Sequence, residues 1–431
     1  KQMLEAGAIT SDPFNLTRLG NGLAGQAILQ AMILVVLDFY NILLMDAGIA
    51  LIVCVGLVWD IAGKRGLSFP WKWLLVVFFL CFPYYPTLRI NASSFATGMA
   101  ILLAIFDLLN RDDISPKSPI KKAFIIGLLA AGACALKTTY LPPLVMILAV
   151  SYLCYLITSR FNRRSAAETL FVPAVTFAML LPWMLALLKS SGTMLYMIFG
   201  TGYDEFNYGR YIADTLVGGY SFLEKLQVIW LTFFSRDVYM TLLVAGVVAL
   251  PLVKWRQRAP VQAFAFGSLA AMFIVLLKVD VTKAVSLHRY FSGIMFVALT
   301  VNLAGLMAAA QQSLEKIGPA VPDWQDRGFF RTVKRSVALL SIAIVAYLFY
   351  WQYGYAQKAW DFYRFHLNII PEKLDEQGKF FPDDWMAKYN KAQETVPEGA
   401  KILSLDTSTT AYDFGRNTIY YMSLPGACSP P

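Results

Sequence analysis

Apolar runs of near-spanning length dominate the chain, at about 43–59, 74–87, 93–110, 122–136, 140–157, 168–188, 239–254, 262–279, 290–310 and 336–352. An α-helix rises about 1.5 Å per residue and a bilayer core is about 30 Å thick, so these runs predict about ten transmembrane helices. Segment 24–38 is apolar but shorter. Its polar Gln26 and Gln30, four residues apart, favour a helix lying in the membrane interface over a further span, which would put the N-terminus in the cytoplasm. Residues 1–22 carry Asp12-Pro13 and Gly20-Asn21-Gly22 and read as loop and turn.

Two regions break the pattern of short connections, a large loop at 189–238 and a tail at 353–431. The tail starts with the aromatic, amphipathic stretch AWDFYRFHLNII and then turns polar. Within it KILSLDTS and TIYYMS read as short strands and Pro425-Gly426 as a turn. The expected organisation is therefore an outer loop and interfacial helix at 1–42, a transmembrane domain at 43–352, and a small extracytoplasmic α/β region at 353–431 that continues past Pro431. No signal peptide is expected in the chain as given.

Composition agrees with this class: 431 residues with 57% hydrophobic, 14% aromatic and 15% charged content exclude an ordinary soluble domain. The fold class expected is an all-α polytopic membrane protein. Basic residues cluster in alternate loops: Lys64, Arg65 and Lys72; Arg111, Lys117, Lys121 and Lys122; Arg160, Arg163 and Arg164; Lys254, Arg256 and Arg258; Lys316, Arg327, Arg331, Lys334 and Arg335. By the positive-inside rule these loops are cytoplasmic, and ten spans leave both chain ends outside. The net charge of +9 is then a topology signal, and nucleic acid is not an expected partner. Single cysteines in apolar segments (Cys54, Cys81, Cys134, Cys154) and a lone Cys428 support neither a disulfide framework nor a metal motif. With His288 and His366 the only histidines, a histidine-rich metal site is excluded.

Chemistry enters with GACALKTTYLPP, which sets Lys137 between two apolar segments. A charge at such a depth needs a partner, and an intramembrane ionisable residue is a functional-site candidate by default. The plainer alternative is a lysine snorkelling to headgroups. Under the expected topology three cations reach the outer face: Lys137, Arg89 in PYYPTLRINASS, and Arg289 in SLHRYFSG. Cations at outer helix mouths suit a phosphate or pyrophosphate headgroup whose hydrocarbon tail stays in the bilayer. In the large loop, TGYDEFNYGRYIADT concentrates Tyr203, Asp204, Glu205, Tyr208, Arg210 and Tyr211. That mixture suits the hydroxyls and ring faces of carbohydrate, and equally an aromatic interface belt.

Several of these segments occur in an order that resembles the GT-C superfamily of membrane glycosyltransferases, in the branch of aminoarabinose transferases and protein mannosyltransferases. GQAILQAMILVVLDFYN followed by DAGIALIVCVGLVWDIAGKRG is similar to its interfacial helix and the spanning segment with a basic loop. GLLAAGACALKTTYLPP is similar to its glycine-rich helix ending in Leu-Thr-Lys before prolines, AMLLPWMLALLK to its Leu-Pro-Trp helix, and HRYFSG to its outer-face Arg-Tyr pair. The resemblance covers most of the chain.

The resemblance implies transfer of a sugar from a polyprenyl-phosphate donor to a glycan, lipid or protein acceptor outside the cytoplasmic membrane. A carboxylate general base would deprotonate the acceptor, and cations would stabilise the departing lipid phosphate. Lys137 and Arg289, then Arg89 and His288, would contact the donor phosphate. Tyr203, Tyr208, Arg210 and Tyr211 would meet sugar or acceptor. The family acid corresponds to a position upstream of Lys1, so the general base itself is expected there, with Asp12 as a fallback and Asp204 and Glu205 of the large loop for base or acceptor roles. No cofactor is implied, and a divalent metal lacks support because PYYPTLRINASSF contains no acid. Two other readings stay open: a transporter or flippase for lipid-linked sugars, and an inactive subunit of a membrane complex.

Overall fold

The computed structural model describes residues 25–37, 44–80, 94–110, 119–137, 140–191, 255–276, 284–320, 391–404 and 415–421, together with 194, 221, 223–224, 227, 389 and 412–413. These residues form helices α1 (Gly25–Val36), a π-helical stretch (Leu44–Ala50) running directly into α2 (Leu51–Lys64), α3 (Phe69–Leu80), α4 (Phe95–Asn110), α5 (Pro119–Leu136), α6 (Leu141–Thr158), α7 (Arg163–Ser191), α8 (Trp255–Leu276) and α9 (Ala284–Ala320). Strands β1 (Lys401–Ser404) and β2 (Thr418–Tyr421) follow.

Among the described residues, four stretches are long and apolar enough to cross a membrane: Leu44–Lys64, Leu141–Thr158, Arg163–Leu185 and Gly293–Gln312. Shorter apolar helices occupy Phe69–Leu80, Phe95–Asn110 and Val261–Ala271. The molecule is an α-helical membrane protein. Of the ten expected spans, those at 239–254 and 336–352 lie outside the described residues, as does the end of the one at 74–87.

Lipid tails are as apolar as leucine, so helices associate here through close fit more than through water exclusion. Small residues allow that fit. A Cβ on Gly267 would stand 2.6 Å from the Ile147 Cα, so α8 lies backbone-close on α6. A Cβ on Gly127 would stand 2.7 Å from the Val175 Cβ, and α5 packs on α7 in the same way. At the centre, Phe79 meets Phe296 at 5.2 Å between ring centroids and Phe106 meets Phe264 edge-on at 5.4 Å, joining α3 to α9 and α4 to α8. The outward faces stay apolar; Ile52 is 73% and Leu170 72% exposed, as lipid contact requires.

One end of the bundle is a basic clasp. Helix α2 ends in a Schellman motif: Gly66 adopts φ +77°, its N–H reaches the Gly63 carbonyl at 2.9 Å, and the Leu67 N–H reaches Ala62 at 3.1 Å. Just before that stop, Lys64 Nζ contacts the buried Asp107 carboxylate at 2.7 and 3.0 Å and also pairs with Asp60. Arg65 donates to Asn110 Oδ1 at 3.0 Å, and burial lowers its guanidinium from its ordinary value. Far along the sequence, Gln311 of α9 accepts from the Ser68 N–H at 2.8 Å and donates to the Gly66 carbonyl at 3.2 Å. Trp59, Phe69 and Trp73 form an edge-to-face group beside it, with Lys72 Nζ 5.5 Å from the Trp59 ring centre, in the manner of an interface belt. Substituting Lys64→Met leaves the Asp107 carboxylate buried without this cation, and removing one partner of a buried pair costs roughly 3–5 kcal/mol. Because Lys64 is itself half-exposed, the lower end of that range is expected, read as a fall in the detergent unfolding temperature. The Lys64→Met/Asp107→Leu double variant is expected to recover most of it.

The tail contains the two strands that its patterning predicts. They pair in parallel, with Lys401 opposite Thr418 and Ser404 opposite Tyr421, and Ile419 is buried. A polar staple holds them: Gln393 accepts from the Asp413 N–H at 2.8 Å and donates to Asn417 Oδ1 at 3.0 Å, while Asn417 Nδ2 donates to Pro397 and Ala400 carbonyls.

Candidate functional site at the helix mouths

The opposite end of the bundle gathers the starts of α2, α4 and α6 and the end of α5. Lys137 is the residue immediately after α5, half-buried, and its carbonyl accepts the Tyr140 N–H at 2.9 Å. Helix α6 then begins with Pro142 and Pro143, which remove amide donors that would otherwise lack partners in its first turn. Among the described residues no side chain caps that helix start. An anion at this mouth would therefore be held by the lysine charge and the helix dipole more than by backbone amides.

Tyr140 ties the mouth to α4. Its hydroxyl donates to the Ser94 carbonyl at 2.8 Å and lies where a Cβ on Gly98 would be, 1.9 Å away, so only glycine lets the ring sit there. Held in this way, the phenol serves as a hydrogen-bond donor between the two helices.

Asp46, in the π-helical stretch, caps α4 from outside that helix. One oxygen, Oδ1, accepts from the Thr97 N–H at 2.8 Å and the Thr97 hydroxyl at 2.7 Å; the other, Oδ2, accepts from the Phe95 and Ala96 N–H groups at 3.1 and 3.2 Å. A carboxylate has about four lone-pair sites, and here all are engaged. Three orphan amides and the positive end of the helix dipole meet one buried charge, which explains how an acid is tolerated in an apolar segment. The same saturation argues against Asp46 as a general base. Sequence reading passed over this residue although the rule applied to Lys137, that an ionisable group in an apolar run has a specific partner, applies to it equally.

Helix α1 closes the other flank. Gly25 packs so tightly that a Cβ there would sit 2.4 Å from the Ala135 carbonyl oxygen, two residues before Lys137. Gln26 and Gln30 are buried, whereas Met32, Val35 and Val36 are exposed, so the polar face of α1 turns into the bundle and its apolar face outward. Among the described residues, both amide atoms of Gln26 and the hydroxyl of Ser94 are buried without a hydrogen-bond partner. Buried polar atoms are almost always satisfied, so these orphans single out the end of the bundle where α5 stops and α4 starts as one that lacks a polar partner.

The remaining predicted residues divide in two. Helix α9 passes the start of α4 at Gly293, where a Cβ would stand 3.1 Å from the Phe95 ring, and reaches the basic end at Gln311. Its first turns, carrying His288 and Arg289, therefore belong to the Lys137 end. Arg89, Asp12, Tyr203, Asp204, Glu205, Tyr208, Arg210 and Tyr211 lie outside the described residues. Within the large loop, Ser221 and Glu224 form a reciprocal capping box, Ser221 N–H to Glu224 Oε2 at 2.7 Å and Glu224 N–H to Ser221 Oγ at 3.3 Å. These bonds lower the Glu224 carboxyl from its ordinary value. Among the described residues no three His, Cys, Asp or Glu side chains gather around a common point for a metal ion.

Comparison of the chain with models of known protein families finds no match, and comparison with curated proteins likewise finds none.

Proposed function

We propose that this protein is a GT-C-like glycosyltransferase of the cytoplasmic membrane, bacterial in type, with about ten spans and its active centre on the extracytoplasmic side. It would transfer a sugar from a polyprenyl-phosphate donor to a glycan, lipid or protein acceptor. The observation that carries this reading is Lys137 at a helix mouth, at the same end of the bundle as the buried Gln26 and Ser94 groups that lack partners among the described residues. Such a mouth can take an anionic headgroup while the attached polyprenyl chain runs down the apolar outer face of the helices. The orientation rests on the clustering of Lys64, Arg65 and Lys122 at the other end, which the positive-inside rule makes cytoplasmic.

In the reaction, an acceptor hydroxyl attacks the sugar C1 as the bond from C1 to the phosphate oxygen breaks. The proton passes to a carboxylate base and the polyprenyl phosphate leaves with its electron pair. Lys137 and Arg289 would stabilise the charge growing on that phosphate, with Arg89 and His288 near them. Asp12, Asp204 and Glu205 are the acids proposed for base or acceptor roles, and Tyr203, Tyr208, Arg210 and Tyr211 for sugar contacts. Because Asp46 is saturated, the base must come from another acid.

The test uses the purified protein in proteoliposomes with a panel of polyprenyl-phosphate sugars and cell-envelope material as acceptor. Sugar transfer with release of polyprenyl phosphate is expected. Movement of the intact donor across the bilayer without cleavage would replace this reading with a transporter, and donor binding without either would replace it with a non-catalytic subunit.

A further inference from the structure

At the basic end, away from the Lys137 mouth, a cavity of about 80 Å³ opens between the first turns of α5 and α7 and the last turns of α6. Lys122, Glu168, Ser151, Tyr152, Tyr155 and Thr158 line its polar part. A water needs roughly 10–15 Å³ by this measure, so the space takes about half a dozen waters or a group of similar size. It is a built site. Glu168 is 96% buried and Ser151 91% buried, being 4% and 9% exposed, and the Ser151 hydroxyl has no hydrogen-bond partner among the described residues.

The charge pair inside is loose. Lys122 Nζ lies 3.6 Å from Glu168 Oε1, whereas a charge-assisted hydrogen bond closes to about 2.7–2.9 Å. Tyr152 donates to the same oxygen at 3.3 Å, and Lys122 Nζ stands 5.9 Å from the centre of the Tyr155 ring. A carboxylate and an aromatic face recognise an ammonium group, while the lysine recognises a phosphate. The pair itself is neutral. A ligand with one charge of each sign would exchange one internal pair for two tighter ones and add no net charge at a largely buried site, where an uncompensated charge is expensive. A purely anionic or purely cationic ligand would leave that charge over.

The turn between α6 and α7 holds this geometry. Arg160 and Phe161 both adopt φ +54°, the left-handed region that non-glycine residues enter at a cost, and Asn162 caps α7 through the Ser165 N–H at 2.7 Å. That tight reversal keeps Glu168 against Tyr152. Outside the cavity, Val145, Ala149, Leu153 and Ile157 recur at four-residue spacing and are all exposed, forming an apolar stripe along α6. Twelve residues of helix give about 18 Å of stripe, comparable to one leaflet of the hydrocarbon core.

We propose that this cavity binds the phosphoethanolamine headgroup of a membrane phospholipid, its ammonium against Glu168, Ser151 and the Tyr155 ring, its phosphate on Lys122, and an acyl chain on the α6 stripe. The inference stands apart from the sugar-transfer reading and holds for any function of the other end.

Its test is native mass spectrometry and detergent melting of the purified protein with phosphatidylethanolamine, with phosphatidylglycerol of the same acyl chains, and with water-soluble glycerophosphoethanolamine. A preference for phosphatidylethanolamine over phosphatidylglycerol of about tenfold is expected, and Glu168→Gln should erase it, as loss of one charged hydrogen bond implies. Ser151→Met, which fills the cavity and leaves the ion pair in place, should weaken phosphatidylethanolamine binding by a similar factor and supplies the answer if Glu168→Gln does not fold. Equal binding of the two lipids, or a preference unchanged in Ser151→Met, overturns the proposal. Protection by glycerophosphoethanolamine equal to that of the lipid overturns the membrane source and assigns the cavity to a soluble zwitterion.

Discussion

Lys137→Ala is expected to reduce sugar transfer from a polyprenyl-phosphate donor by about two to three orders of magnitude, the range seen when one donor to a developing oxyanion is removed. The reason lies in where charge appears. The proposed donor is a diester carrying one negative charge, and breaking the bond from C1 to oxygen would release a monoester that carries more. A cation at the mouth therefore interacts more strongly with the transition state than with the bound donor, so kcat should fall more than KM rises. Lys137→Arg keeps the charge but replaces a point ammonium with a planar fork, and partial activity is expected. Arg289→Ala should act in the same direction, since the first turns of α9 belong to the same end of the bundle. Both variants should still insert in the membrane. Unchanged transfer by Lys137→Ala and Arg289→Ala would remove the phosphate role from this end.

The second large effect is on stability. Asp46→Ala removes four hydrogen bonds at once and leaves the N–H groups of Phe95, Ala96 and Thr97 facing a cavity at the start of α4. Leaving a buried donor unsatisfied costs roughly 1–3 kcal/mol, and relaxation or water will recover part of the sum, so a loss of about 3 kcal/mol is expected. Asp46→Asn should be little better, because its NH2 faces amide donors whichever way the amide turns. Thr97→Val keeps the amide contacts and should cost about 1 kcal/mol. The measurement is thermal or denaturant unfolding in detergent, ordered Asp46→Ala, Asp46→Asn, Thr97→Val from most to least destabilised. If Asp46→Asn melts with the unsubstituted protein but loses transfer, the carboxylate has a chemical role that its saturated geometry argues against.

These two residues show how unevenly a site can be read from a sequence. Lys137 stands out because lysine in an apolar context is rare and the flanking prolines mark a helix start. Asp46 carries the same kind of signal at the head of DAGIALIVCV, yet its partner is backbone some fifty residues away, and no residue type in the sequence announces a backbone donor. Gln26 and Gln30 are visible as one polar face of a short helix. Which way that face points is not visible, and it points inward, against the end of α5. The Lys122 and Glu168 pair is likewise hidden, because each alone reads as an ordinary charge near a basic loop.

The sequence by itself determined the class of the protein and the positions of several of its described helices, since apolar run length and local stop signals such as Gly66 and Pro142 act over a few residues. The observed limits of α4, α5 and α6 follow the apolar runs closely, and the two strands of the tail fall where KILSLDTS and TIYYMS alternate. Only the tertiary structure decided which helices touch and which polar groups meet at each end. Those choices depend on where Gly127 and Gly267 permit backbones to approach, and on which orphan amides a distant carboxylate can reach. Both are properties of surfaces in three dimensions, to which local composition contributes only the pieces.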